Sequence, residues 1–340
     1  MDDEQLLEFA EYPSNALIEL TNSCNHACVF CKNSNQERGA THLDIKIFEE
    51  FVRQAVPLGL KELGLYATGE PFMTKNLEEY IAVAKLNGVN RIYVTTNGAL
   101  ADLERVSKCY EAGLNSIKFS INASNREEYK LVHGYDDFEQ VLENVRNIYK
   151  WKKDNGINIQ LLASCAIVPA IADLEKSHYA IFGGYFEDIR YENSTSQNGQ
   201  AFQLADTLGF IPNGVFSNLG KSNSAGDVRP CQMLWNRYHL TAEGYLTGCC
   251  IDYELDLAFA DINSFSLKES WNNELARKLR SAHINKDLSG LVCDQCMHNE
   301  ARPYKPISDV NKKKKSDKII QFQAEGLKKR IMIVSKINND

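Results

Sequence analysis

The chain has 340 residues, 44% of them apolar and 24% charged, with a formal net charge of −7. That composition suits a globular protein with one barrel-sized domain and a small appendage. No run of about 18 apolar residues occurs, which excludes a membrane-spanning helix. The acidic start, M-D-D-E-Q-L-L-E-F-A-E, lacks the basic and apolar segments of a signal peptide. The expected location is therefore the cytoplasm, where the ten cysteines point to metal binding or thiol chemistry rather than to disulfides.

In chain order, β-type and helix-type periodicities alternate from residue 16. Strands are predicted over 16–22, 62–67, 91–97, 116–122, 157–167 and 188–193. Helices are predicted over 44–56, 76–86, about 101–112, 137–154 and 171–182, two of them ended by Gly88 and Gly113. Strands joined by helical crossovers form a parallel sheet, either doubly wound or curved into an incomplete barrel, with its site at the C-terminal strand ends. Polar punctuation falls at those ends: a cysteine loop after the first strand, T-G-E-P at 68–71, T-T-N-G at 95–98 and S-I-N at 120–122. After residue 228 the alternation stops. Two short strands turning at Glu243-Gly244 are followed by a helix over 266–280 and C-D-Q-C at 293–296.

Cys24, Cys28 and Cys31 form C-x3-C-x2-C. A structural zinc wants four ligands, and His26 sits between cysteines, poorly placed to fold back as the fourth. A 4Fe–4S cluster held by three thiolates keeps one iron open for a ligand. Zinc, a redox pair and a cluster all remain readings of the spacing. Cys109 and Cys165 stand alone, as small buried hydrophobes do.

C-x3-C-x-Φ-C after a first β-strand resembles the radical S-adenosylmethionine enzymes, with Phe30 as the aromatic. The resemblance covers about residues 14–215. It implies an α/β fold, a partial (β/α)6 TIM-type barrel, with a small C-terminal β-hairpin/helix iron–sulfur domain. It also implies that Cys24, Cys28 and Cys31 hold a 4Fe–4S cluster, which cleaves S-adenosylmethionine to a radical that abstracts a substrate hydrogen. Gly69, Glu70 and Pro71 resemble the motif that binds the methionyl ammonium, and Thr96-Asn97-Gly98 the strand-three motif, with Asn97 near the cofactor. Ser120 and Asn122 resemble the strand-four polar pair, and Val168, within Ile167-Val168-Pro169, the apolar adenine wall. A flavodoxin- or ferredoxin-like electron donor is implied.

Residues 228–300 could be a zinc ribbon, but their layout resembles the SPASM extension or its shorter twitch form. No cysteine follows Cys296, which favours twitch. The implied ligands of a second, auxiliary 4Fe–4S cluster are Cys231, Cys249, Cys293 and Cys296. Cys250 is surplus. As a strand neighbour of Cys249 it is expected to point away, as a buried thiol or alternative ligand, or as a hydrogen-atom donor. The region resembles an aminocyclitol dehydrogenase of antibiotic biosynthesis, which implies oxidation or epimerisation of a sugar or aminocyclitol. The alternatives are peptide modification, made less favourable by only 23 residues before Cys24, and a non-catalytic zinc-binding protein. Candidate inward catalytic residues are Glu19, Arg190 and Glu192, since a carboxylate inside a barrel is costly unless paired or used. His133, Arg237 and Asp252 are candidate substrate contacts. Residues 301–340 read as a basic tail, with nine Lys/Arg against three Asp/Glu over 311–340. A solvated tail with an amphipathic helix near 318–334 is favoured there over nucleic-acid binding.

Overall fold

The structure, a computed structural model, describes residues 6–168, 171–193, 229–298 and 302–312. Pro169, the end of the proposed barrel segment (194–215) and the helix expected near 318–334 lie outside the described residues.

Six parallel strands open the fold: β1 (Asn15–Ile18), β2 (Glu62–Gly64), β3 (Arg91–Thr96), β4 (Ser116–Ser120), β5 (Gln160–Ile167) and β6 (Asp188–Asn193). Helices α1 (Ile45–Ala55), α2 (Leu77–Leu86), α3 (Leu103–Ala112), α4 (Arg126–His133), α5 (Phe138–Asn155) and α6 (Leu174–Phe182) connect them. α1 starts where the Asp44 side chain accepts from Lys46 N, and its buried stripe is Phe48, Phe51, Val52 and Ala55, at helical spacing. α3 starts on Asp102 and stops at Gly113, whose φ of 119° only glycine adopts freely.

Residues on one strand face, including Ile18, Leu63, Ile92, Val94, Ile117, Phe119 and Leu161, are almost fully buried against the helices. The opposite face carries half-buried polar groups, so the sheet reads as an open barrel wall with a polar lumen.

The C-terminal region comprises α7 (Met233–Asn236), β7 (Tyr238–Leu240), β8 (Tyr245–Thr247), β9 (Ala258–Asp261), α8 (Leu267–Trp271), α9 (Glu274–Ile284) and α10 (Val292–His298). β7 pairs in parallel with β1, Leu17 opposite His239, and the sheet runs β6-β5-β4-β3-β2-β1-β7-β8-β9. The expected hairpin is therefore not a separate layer. It continues the barrel sheet and covers the β1 edge that six strands alone would leave unpaired.

Five elements differ from expectation. α4, α7, β9 and α10 were not anticipated. The helix expected over 266–280 is two: Ser266 and Glu269 form a capping box on the first, and Asn273 accepts from Ala276 N to start the second. No helix among the described residues is long and apolar enough to cross a membrane.

Candidate functional site

The loop after β1 is tied down by side-chain amides. Asn33 Nδ2 donates to the carbonyls of Asn22 (2.8 Å) and Thr68 (2.7 Å), and Gln36 Nε2 donates to Asn22 O at 2.6 Å. Asn22 in turn donates to Gly39 O and accepts from Thr41 N. Three thiols project from this frame. Cys24 Sγ accepts from His26 N at 3.5 Å and faces Asn97 Nδ2 at 3.9 Å. Cys28 Sγ lies 3.5 Å from His133 Nδ1. Cys31 Sγ accepts from Asn33 N at 3.4 Å and lies 3.3 Å from the Tyr253 hydroxyl.

Burial pushes the Cys24 thiol well up, and the charges of Glu70, Cys28 and Cys31 push it further. Thiolates that repel one another here need a cationic centre, and the polar hydrogens aimed at sulfur are what a thiolate-ligated centre draws on. The donor set fits a 4Fe–4S cluster with Cys24, Cys28 and Cys31 as its ligands. His26 is engaged elsewhere, its Nε2 paired with Asp137 at 2.9 Å.

The rim motifs close around this loop. Gly69 packs so tightly against the backbone of Thr21, Asn22 and Ser23 that a Cβ would lie 2.6 Å from Ser23 O. Glu70, expected to meet an ammonium, has its carboxylate turned inward. It accepts from Phe72 N (3.0 Å), Thr96 Oγ1 (2.7 Å) and Asn97 N (2.8 Å), which fastens the end of β2 to the end of β3. Pro71 opens the following 3-10 turn. Asn122 accepts from Ala166 N at 2.7 Å, with Ser120 Oγ 3.5 Å from its amide. Phe30 packs against the cluster formed by Val29, Val132, Cys165, Val168, Ile171 and Leu174, so an aromatic and an apolar wall meet beside the thiols.

Two candidate substrate contacts are otherwise occupied. His133 is buried between Cys28 and Asn122. Asp252 accepts from Thr247 Oγ1, Asp256 N and Leu257 N, organising the turn after Cys250. Burial pushes its carboxyl up to about 6.

Cys231, Cys249, Cys250, Cys293 and Cys296 form the second thiol set. Charge on Cys296 and Cys231 raises Cys293, and charge on Cys231 and Cys250 raises Cys296, in each case after burial. Cys293 and Cys296 share a face of α10, one turn apart. Cys250 does not turn away. Residues 249–250 follow β8 in a turn rather than a strand, so strand alternation does not apply. The Cys250 thiol lies 3.9 Å from Met233 Sδ, and its charge acts on Cys231, on Tyr66 and on Tyr253, the residue against Cys31. It belongs to the second set, where it hydrogen-bonds the Cys249 thiol. All ten cysteines are free, and Cys109 and Cys165 are buried alone in the core.

One sheet face carries Thr95, Lys118, Arg190 and Glu192 by register, and His239 opposite Leu17, with Tyr66 and Arg237 near Lys118. Lys118 Nζ sits 6.0 Å above the Tyr66 ring. Burial lowers its pKa, with Glu192 opposing and Arg190 and Arg237 reinforcing the shift. Arg190 and Glu192 are on β6, exposed. Glu19 is not available to a substrate: both oxygens bond Arg38, and Thr68 and Ala242 N donate to it as well. Sequence reasoning passed over Lys118, Tyr66, His239 and Tyr253. Lys118 was within reach, two residues before Ser120 and so on the same strand face.

A thiol triplet at the rim of an open parallel barrel, with a second thiol set in the C-terminal region, fits an iron–sulfur protein. Residues 18–161 match the model of the radical SAM superfamily, and residues 231–297 that of the iron–sulfur cluster-binding domain SPASM. The chain thus carries a radical SAM domain followed by a SPASM domain, and with them 4Fe–4S clusters and S-adenosylmethionine as cofactors. Among curated relatives, a probable GTP 3',8-cyclase of Pyrococcus horikoshii is 30% identical over 142 residues, 42% of this chain and 45% of that one. The GTP 3',8-cyclase of Syntrophomonas wolfei is 28% identical over 302 residues, 79% of this chain and 91% of that one. The chain spans less than half the length of the Pyrococcus horikoshii relative. Among solved structures, BtrN in complex with AdoMet and 2-DOIA has a TM-score of 0.55 at 16% identity, covering 85% of this chain and 93% of BtrN. Native anSMEcpe with bound AdoMet has a TM-score of 0.61 at 14% identity, covering 96% and 100%. These structures share the fold.

Proposed function

We propose that the protein is a radical enzyme that removes a hydrogen from a small polyhydroxylated substrate, a sugar or aminocyclitol, and oxidises or epimerises the carbon. The observation that carries this reading is Cys250, a thiol beyond the four assigned to the second cluster, in the turn after β8 and 3.9 Å from Met233 Sδ. S-adenosylmethionine beside a reduced 4Fe–4S cluster supplies a hydrogen-abstracting radical. The chain supplies the rest. Cys24, Cys28 and Cys31 hold the first cluster. Phe30, Gly69, Pro71, Asn97, Ser120, Asn122 and Val168 shape the cofactor's surroundings, and Glu70 fixes the rim they stand on.

Alcohol oxidation needs a base for the hydroxyl proton, and the candidate is Lys118, with Nζ 6.0 Å from the Tyr66 ring and its charge disfavoured by burial, on the same sheet face as Arg190 and Glu192. Epimerisation instead needs a hydrogen-atom donor, the role open to the Cys250 thiol. Cys231, Cys249, Cys293 and Cys296 hold the second cluster in the single-cluster twitch manner, and a small flavodoxin- or ferredoxin-like protein delivers electrons. A purine nucleotide is the second reading, favoured by the GTP 3',8-cyclase relative matched over 79% of this chain.

The test is anaerobic turnover with deuterated aminocyclitols and sugars and, separately, deuterated GTP, following deuterium into 5'-deoxyadenosine. Label arriving from a sugar or aminocyclitol is expected. Label arriving only from GTP would replace this reading with the second.

The Cys250→Ala variant is expected to keep both clusters, because it leaves Cys231, Cys249, Cys293 and Cys296 in place, whereas Cys249→Ala removes one of those four ligands and should impair the second. If Cys250→Ala still forms an epimerised product at the wild-type rate, the thiol is not the hydrogen donor.

A further inference from the structure

His133 is the last residue of α4, 1% exposed, its ring stacked on Tyr129 with centroids 4.0 Å apart and planes 12° off parallel. Its two nitrogens face different partners. The backbone N–H of Asn122 donates to Nε2 at 3.1 Å. A nitrogen that accepts carries its lone pair outward, so the neutral ring keeps its proton on Nδ1. Nδ1 lies 3.5 Å from Cys28 Sγ. The helix end is also clamped to the cysteine loop, because the carbonyls of His133 and Val132 accept from Ala27 N at 3.0 Å and Val29 N at 2.9 Å.

We infer that His133 is a positioning residue of the first cluster: Asn122 fixes its tautomer, and Nδ1–H donates to the Cys28 sulfur, making that cluster easier to reduce. A hydrogen bond to a ligand sulfur withdraws electron density, which stabilises the form carrying the extra electron and raises the reduction potential. The end of β4, through Asn122, is thereby linked to the cluster through one ring. The inference rests on the reading that Cys24, Cys28 and Cys31 hold a cluster. His26, Cys28 and His133 also stand close enough to share a single metal ion, but a protonated Nδ1 cannot ligate.

The experiment is a redox titration of the reconstituted full chain, followed by electron paramagnetic resonance, in wild type, His133→Phe and His133→Asn. Phenylalanine keeps the stack on Tyr129 without the donor, and the midpoint of the first cluster should shift to more negative potential while that of the second stays put. Asparagine offers an amide N–H near the position of Nδ1, and the midpoint should return toward wild type. An unshifted midpoint in a fully loaded His133→Phe protein would overturn the inference.

Should His133→Phe fail to fold or load, 15N spectra of the cluster-free wild-type chain decide. The Nδ1–H tautomer supports the inference, and the Nε2–H tautomer or zinc held by His133 sinks it. Failure of the underlying reading looks different: the Cys24→Ala/Cys28→Ala/Cys31→Ala protein would then keep every cluster signal that wild type shows.

Discussion

Replacing Arg38 with methionine is expected to lower the unfolding free energy by about 3–5 kcal/mol, the usual cost of stranding one partner of a buried ion pair. Arg38 is 6% exposed and Glu19 is 2% exposed. Its guanidinium reaches Glu19 Oε1 at 3.3 Å and Oε2 at 2.5 Å, and Glu243 at 3.0 and 2.5 Å. One side chain of the cysteine loop therefore ties the end of β1 to the β7–β8 turn, and Thr68 at the rim joins through Glu19. Without it, a buried carboxylate keeps only the Thr68 hydroxyl and Ala242 N–H as donors.

The pH dependence has a definite sign. Burial pushes the Glu19 carboxyl up, but the charge and hydrogen bonds of Arg38 outweigh it and leave the pKa below its ordinary value. A carboxyl lowered on folding adds stability above its unfolded pKa, and that stability is lost as pH falls through the folded pKa. Wild type should thus lose stability below the ordinary carboxylate range, where Arg38→Met has less to lose. Glu19→Gln/Arg38→Met should recover part of the cost, since no buried charge is left. Urea denaturation of the full chain at pH 7 and in acid measures all three, and an unchanged midpoint for Arg38→Met would refute the role of the tie.

The sequence made most of the barrel legible because its strands and helices announce themselves by local periodicity. Ile92, Val94 and Thr96 alternate with half-buried neighbours on β3, and Phe48, Phe51 and Val52 recur at helical spacing on α1. α4 escaped because R-E-E-Y-K-L-V-H is short and mostly polar, burying only Tyr129, Val132 and His133. The pairing of Leu17 with His239 escaped for another reason: no local pattern specifies a partner more than two hundred residues away.

The same holds for the site. Spacing made the cysteines conspicuous, yet the fate of Glu19 was decided by Arg38 and Glu243, and that of Cys250 by a turn where alternation predicted a strand. Tyr253, against Cys31, gives no signal in the sequence, because its role depends on the C-terminal strands folding back onto β1.

The Gly69→Ala variant is expected to lose the first cluster while keeping the second. The added methyl would overlap the Thr21 carbonyl oxygen and lie 2.6 Å from Ser23 O and 2.9 Å from Asn22 C, all of them backbone. Backbone has no rotamer by which to yield, and here it is clamped on both sides. Asn33 holds Asn22 O and Thr68 O together, and Glu70 N donates to Ser23 O at 2.9 Å. The strand end and the cysteine loop must therefore separate, and Cys24, next to Ser23, moves with the loop.

Gly64 is the internal control. A Cβ there is also crowded, but by the side chains of Leu17 and Tyr93, which can rotate away, so Gly64→Ala should cost stability as overpacking does, about 1–3 kcal/mol, and keep both clusters. The second thiol set lies just before α7, just after β8 and on α10, and should be indifferent to either change. Iron and sulfide content after reconstitution, with electron paramagnetic resonance of the reduced protein, separates the cases. A Gly69→Ala protein that loads both clusters and melts with wild type would show that this close approach is dispensable.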